Sequence, residues 1–316
     1  MSARHVLPSG FTAFTAEPAE DEAVLQFINR IQPHIAWTRE HFEWQYRRHP
    51  AGPARLYVAR EGARLVSLYA AVAQRLRHGG EVFDARMIQD VMTDPAYRGR
   101  GLLHHLAGMC HGDLLARGEG GYTFPNEASE RSFRRTGWTE LGPVPLCARA
   151  VTPADEDAIS VLRLVPRFGP EAPAAWRDSG LAVGVERDGQ YLEWRYAKPG
   201  QRYERHVVGD GGGYVILKHF VSESGPLTHI CDVVVRADER RVLPDTLADC
   251  ASIAARAGSR TLTAWLPAGH AYELAFVAAG FTSWSTNRFV FVMSAGRAAV
   301  GRASAWHLTQ GDSDVY

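Results

Sequence analysis

The chain has 316 residues, and its Lys plus Arg (35) equals its Asp plus Glu (35), so the formal net charge at pH 7 is zero. That balance gives no electrostatic reason for nucleic acid or an anionic membrane to be a partner. No apolar stretch approaches the ~20 residues of a spanning helix, and the start, Met1-Ser2-Ala3-Arg4-His5, leads into Pro8-Ser9-Gly10 rather than an apolar signal core, so no membrane association and a cytoplasmic setting are expected.

Residues 20–31 place Val24, Phe27, Ile28 and Ile31 on one stripe and read as a helix. A second helix is expected over residues 38–47, capped by Thr38. Residues 56–59 and 66–73 read as strands joined at Glu61-Gly62, and residues 87–92 as a further strand. A helix follows from Gly101 to Ala116, with Leu102, Leu103, Leu106 and Cys110 facing inward, ended by the glycines of 118–121. Then come a short strand at Tyr122-Thr123-Phe124, a helix over 128–135 and a last strand over 144–148. The pattern predicts an α/β fold, a mixed sheet with helices on both faces.

Cys110, Cys147, Cys231 and Cys250 form no Cys-x-x-Cys pair and fit a reduced compartment. Cys110 and Cys250 fall in helix-like apolar patterns and read as packed small hydrophobes. His104 and His105 are neighbours on a helix and point to different sides, with His111 six residues past His105. That is poor spacing for joint ligation, and no metal is expected.

The most informative segment is Thr93-Asp94-Pro95-Ala96-Tyr97-Arg98-Gly99-Arg100-Gly101-Leu102. A strand that ends in a glycine-containing turn at a helix start presents backbone N–H groups and the positive end of the helix dipole. Glycines keep side chains out of the way, and Arg98 and Arg100 add full charge, so the turn reads as a cradle for a pyrophosphate. It is not a P-loop, because no Lys-Ser or Lys-Thr follows. It is not a dinucleotide fingerprint either: Gly99 and Gly101 fit the first two positions, but His104 stands at the third.

These residues resemble the GCN5-related N-acetyltransferases, whose signature is Arg/Gln-x-x-Gly-x-Gly/Ala. Arg98, Gly101 and Leu103 occupy its positions, with Leu103 replacing the usual small residue. The later Phe124-Pro125-Asn126-Glu127, then Phe133 and Gly137-Trp138, is similar to that family's second strand–helix unit. The resemblance implies an acyl-CoA co-substrate, most often acetyl-CoA. It implies a coenzyme arm along Val91, Met92 and Thr93, and a pyrophosphate on Arg98, Gly99, Arg100, Gly101, Leu102 and Leu103. It also places the coenzyme near Asn126 and Phe133, and a thioester carbonyl polarised by a backbone N–H near Val91 or Met92. Candidate bases are Asp90 and Glu127. The family often has a tyrosine acid four residues before the Gly-aromatic pair, where this chain has Phe133. The acceptor class implied is a small-molecule amine, with an amino sugar as one candidate. A CoA-binding module without catalysis is the competing reading, and a homo-oligomer stays open.

Four features recur in the same order. Glu43-Trp44-Gln45-Tyr46 matches Glu193-Trp194-Arg195-Tyr196, and a turn containing Pro and Gly, then a strand, follows in both halves. Ile88-Gln89-Asp90-Val91 matches Ile230-Cys231-Asp232-Val233, and Gly137-Trp138 matches Gly280-Phe281. Two tandem copies of one fold are therefore expected, 1–150 and 151–316, with a polar linker beginning at Thr152. The paired aromatics read as core. Asp238 and Glu239 stand where the second copy would need its anion turn, and no glycine accompanies them. The second copy is therefore expected to be degenerate, shaping the substrate pocket or stabilising the first, with one coenzyme site in the N-terminal half.

Overall fold

The computed structural model describes residues 7–153, 155, 160–223, 225–284, 289–293 and 302–313. In chain order it contains β1 (Phe11–Thr15), α1 (Asp21–Ile31), α2 (Arg39–Tyr46), β2 (Arg55–Glu61), β3 (Arg64–His78), β4 (Glu81–Thr93), α3 (Leu102–Arg117), β5 (Gly120–Thr123), α4 (Glu127–Arg135) and β6 (Thr139–Pro143). There follow β7 (Leu146–Ala150), β8 (Leu162–Val165), α5 (Glu171–Asp178), β9 (Val183–Val185), α6 (Gly189–Arg195), β10 (Glu204–Val208), β11 (Gly213–Ser222), β12 (Gly225–Val235) and α7 (Leu243–Arg256). The last elements are β13 (Thr261–Trp265), α8 (Glu273–Ala278), β14 (Thr282–Trp284), β15 (Phe289–Met293) and β16 (Trp306–His307). The linker read from Thr152 falls partly outside the described residues.

The described residues fall into two compact units. The first takes residues 7–76, 83–141 and 289–293, and the second takes 77–82, 142–284 and 302–313. The first unit's sheet runs β1-β2-β3-β4-β5-β15-β6, and the second's runs β8-β10-β11-β12-β13-β7-β14. The β4/β5 and β12/β13 pairs are parallel and flanked by antiparallel pairs, and β9 and β16 form a further parallel pair. These are mixed α/β sheets flanked by helices, as the element pattern predicted.

The division differs from a single cut near residue 150. The strand read at 144–148 as the end of the first copy is β7, which pairs with β13 and β14 of the second sheet. The corresponding place in the first sheet, beside β5, is filled by β15, from near the far end of the chain. Apolar alternation marks a strand but carries no information about its neighbour.

In the first unit β2 and β3 bury both faces, so they are apolar at nearly every position. Leu56, Val58, Leu68, Ala70 and Val72 pack with Val24, Phe27, Ile28 and Phe42 from α1 and α2. The alternate residues Tyr57, Ala59, Tyr69 and Ala71 pack with Leu102, Leu106, Cys110 and Leu114 of α3. Thr38 caps α2 as expected, its Oγ1 accepting from His41 N at 3.1 Å. The Gly137-Trp138 pair also has a physical reason. Gly137 ends α4 with φ 86°, and a Cβ on Gly121 would lie 3.0 Å from the Trp138 ring, so glycine there lets that ring lie on β5 without a shift. Gly280, with φ 84°, and the buried Phe281 repeat the arrangement in the second unit. All four cysteines are buried and free.

Two buried histidines set an acid limit on stability. Burial, then Arg86 and Arg75, pushes His49 down from its ordinary 6.5 to about 3. Burial, then His307 and Arg240, does the same for His270. Both stay neutral in the folded chain, while the unfolded chain protonates them near 6.5. Their stabilisation is complete above pH 6.5 and is lost as pH falls towards 3, at about 1.4 kcal/mol per pH unit for each group. Thermal melts between pH 7 and 4 should show this decline, and His49→Asn with His270→Asn should make it shallower without abolishing it, because burial also lowers His111 and His229 to about 4; Asn can keep the acceptor that each Nδ1 offers to Ala51 N and Tyr272 N.

Candidate functional site

β4 and β5 pair in parallel from Ala85↔Gly120 to Ile88↔Thr123, and Thr123 Oγ1 donates to Ile88 O at 2.8 Å beside the last rung. β5 ends there, while β4 continues for five residues, from 89 to Thr93. The other wall leaves through Phe124 and Pro125 to Asn126. A gap therefore opens between two strands that were hydrogen-bonded one residue earlier, with main-chain groups of β4 along one side.

The β4 side is held from within the unit. Ser67 Oγ donates to Met92 O at 3.1 Å and lies 2.8 Å from Thr93 Oγ1. Asp90 sits in the left-handed region, φ 49°, where few non-glycine residues are found. Its Oδ2 accepts from Tyr46 Oη at 2.7 Å and from Gln89 Nε2 at 2.9 Å.

Beyond Thr93 the chain makes the predicted turn. Asp94 accepts from Ala96 N at 3.1 Å and from Arg64 Nη2 at 2.9 Å, which starts the 3-10 turn Pro95–Tyr97. Gly99 and Gly101 have φ 76° and 75°, and no atom lies within 4 Å of where a Cβ on either would stand. Gly101 is the N-cap of α3 and has no side chain to offer its first turn. The leading N–H groups of a helix lack intrahelical partners, so they face open ground here, with the dipole's positive end behind them.

Arg98, Gly99, Arg100 and Gly101 are exposed. The Arg100 guanidinium stacks over Tyr97 at 5.0 Å, and Arg98 Nε donates to Thr93 O at 3.4 Å. The Leu102 side chain is buried and Leu103 packs partly against the same core, so only their backbones can serve a ligand. Val91 and Thr93 are half-buried and Met92 is buried.

Across the gap, Asn126 is the N-cap of α4, its Oδ1 accepting from Ser129 N and Ser129 Oγ, both at 3.0 Å. It therefore serves its own helix. Glu127, the first residue of that helix, is exposed. Phe133, expected beside the coenzyme, is instead 4% exposed, with its ring 5.6 Å from Trp138 and 6.4 Å from Tyr69. Burial against α3 takes it away from open space. The structure thus brings together Val91, Met92, Thr93 and the turn, sets Asn126 and Glu127 on the opposite wall, and leaves Phe133 in the core.

Ser67, Gln89 and Asp94 join the site through contacts that no motif marks, and Tyr46 bonds Asp90 as well as packing. The recurrence of Tyr and Asp in both halves was the available signal. Tyr196 Oη lies 3.3 Å from Asp232 Oδ2, the same pairing as Tyr46 with Asp90.

The second unit repeats the strand separation. β12 and β13 pair up to Ile230↔Ala264, and β12 runs on five residues to Val235. Here residues 309–313 lie against the gap. Gln310 Nε2 reaches Thr263 Oγ1 of β13 at 3.3 Å, and a Cβ on Gly311 would stand 2.8 Å from Cys231 O of β12. Fully buried Arg187 joins Asp232 to Asp312, both at 2.8 Å, and Arg195 donates to Gly311 O at 2.6 Å. The following turn, Ala237–Val242, lacks glycine, and its Asp238 bonds Arg236.

Residues 15–140 match the family model described as an acetyltransferase (GNAT) domain. That stretch of the chain, within its N-terminal half, is therefore a domain of the acetyltransferase (GNAT) type. No curated protein matches the sequence. Among solved structures it is similar to a conserved protein of unknown function from Enterococcus faecalis, a probable N-acyltransferase, at 13% identity and TM-score 0.69, covering 90% of this chain and 72% of that one. It is similar to a GCN5-related N-acetyltransferase from Anabaena variabilis at 13% identity and TM-score 0.67, covering 90% and 73%. It is also similar to Saccharomyces cerevisiae N-myristoyltransferase, solved with myristoyl-CoA, at 12% identity and TM-score 0.60, covering 93% and 81%. At these identities the likeness is one of fold. Among the described residues no group of three His, Cys, Asp or Glu could hold a metal, and no helix is long and apolar enough to cross a membrane.

Asp94 links strand, turn and cap. Asp94→Ala should lower unfolding stability by about 1 kcal/mol in urea titrations, and Asp94→Asn, which can still accept from Ala96 N, by less.

Proposed function

We propose that this protein transfers an acyl group, most simply acetyl, from acyl-CoA to an amine of a small molecule. The observation that carries this reading is the strand gap leading straight into a left-handed glycine turn at the start of α3. The gap suits an extended arm with amide groups, taken up beside Val91, Met92 and Thr93 as an added strand would be. The diphosphate would accept from the N–H groups of Arg98, Gly99, Arg100, Gly101, Leu102 and Leu103.

A backbone N–H near Val91 or Met92 would stabilise the charge that grows on the thioester oxygen. The neutral amine nitrogen attacks the carbonyl carbon, the C–S bond breaks, and the ammonium proton passes to Asp90, Glu127 or water. Phe133 cannot donate a proton, so the thiolate takes one from water. A thiolate is a good leaving group and needs little help from an acid. An amino sugar is one acceptor of the proposed class.

The second unit reads as a degenerate copy without coenzyme, because residues 309–313 lie where an arm would lie and its turn is acidic. The buried Phe133 favours one alternative, a coenzyme-binding module without turnover.

Titration calorimetry with acetyl-CoA should give one site per chain, and Gly101→Glu should weaken binding at least tenfold. Thiol release from acetyl-CoA on adding primary amines, glucosamine included, supports transfer. Binding without thiol release across the panel supports the module instead. Unchanged affinity in Gly101→Glu would contradict the site.

A further inference from the structure

Asp90 stands out for backbone conformation as well as for charge. It lies within a strand, yet its φ is 49°. A left-handed residue breaks the extended course of a strand and re-aims the groups that follow. The last β4–β5 rung is at Ile88, two residues earlier, and Val91 and Met92 come directly after.

An aspartate adopts this conformation more readily than most residues, but not freely. Tyr46 Oη and Gln89 Nε2 both donate to its Oδ2. Tyr46 is fully buried at the end of α2, with its ring 5.1 Å from Phe42 and 5.4 Å from Trp37. Its hydroxyl is a fixed point, and a carboxylate bonded to it is fixed in turn.

The second unit repeats the pairing of residue types, without the positive φ. There the β11–β12 register shifts between Ile216↔Asp232 and Leu217↔Ile230, leaving Cys231 as the extra residue. Asp232, next to that bulge, again meets a helix-end tyrosine, Tyr196. Its gap is lined by the chain's own residues, so the pairing recurs where no acceptor amine is expected.

We infer that Asp90 and Tyr46 are positioning residues: the Tyr46–Asp90 hydrogen bond holds the left-handed bend of β4 that aims the Val91 and Met92 N–H groups at the thioester oxygen, and Asp90 is not the general base. This rests on the coenzyme reading above and assigns proton removal to Glu127 or water.

Backbone preference separates the two roles of Asp90. Glycine accepts a positive φ without strain, and asparagine tolerates it while keeping an oxygen for Tyr46. Alanine fits poorly, and valine, being β-branched, fits worst. The probe is [1-13C]acetyl-CoA bound to the full chain, read by its carbonyl 13C shift, with affinity measured in parallel.

Wild type should move the carbonyl downfield of free acetyl-CoA. Asp90→Asn and Asp90→Gly should keep most of that shift. Asp90→Ala, Asp90→Val and Tyr46→Phe should lose it, with affinity within about threefold because the diphosphate turn is untouched. A base role predicts an unchanged carbonyl shift in all five variants, and that result would overturn the inference while leaving the coenzyme site intact. Failure of wild type to bind acetyl-CoA would instead remove the site itself, and this assignment with it.

Discussion

Where β4 parts from β5, five residues of main chain lose the strand on one side. Peptide groups demand partners, and a sheet normally supplies them from the next strand. The interruption has causes in the sequence. β5 is short and runs out through Phe124 and Pro125, and a proline has no N–H to extend a ladder. Asp90 in the left-handed region bends β4 just past the last rung. The separated strand ends point towards a glycine turn whose open face meets the start of α3. The turn, the helix dipole and the edge of β4 gain a common purpose only because the strands separate.

The two units treat this geometry differently. Both sheets have the same strand order and both separate at the end of their parallel pair. In the first unit the turn is glycine-rich and exposed. In the second, residues 309–313 lie along the gap, secured by Arg187 between Asp232 and Asp312. Moving three such charges out of water is costly, and the arrangement is tolerable because each has a partner. Asp312 is therefore tied to one place, and the segment that carries it comes along. The buried arginine makes that gap self-contained.

Much of this was legible in the sequence, and what escaped it shares a cause. The stripe of α1, the Thr38 cap, the long apolar β3 and the turn from Thr93 to Leu102 are encoded locally, so pattern alone reveals them. The recurrence of Tyr46 with Asp90 as Tyr196 with Asp232 was visible too, but only as a repeat. That each pair is a hydrogen bond requires knowing that α2 ends over β4 and α6 over β12. The β7 and β15 placements depend on partners far away in sequence, which periodicity does not record. Asn126 and Phe133 sit at family-like positions, yet one caps its own helix and the other fills the core, because burial is decided by neighbours and not by spacing.

Amide hydrogen exchange with and without acetyl-CoA tests the central claim most directly. If the strand gap and the turn grip the coenzyme, protection should rise in residues 89–93 and 98–103 and stay unchanged in residues 231–235 and 237–243. Equal protection in both units, or protection confined to the second, would contradict the account.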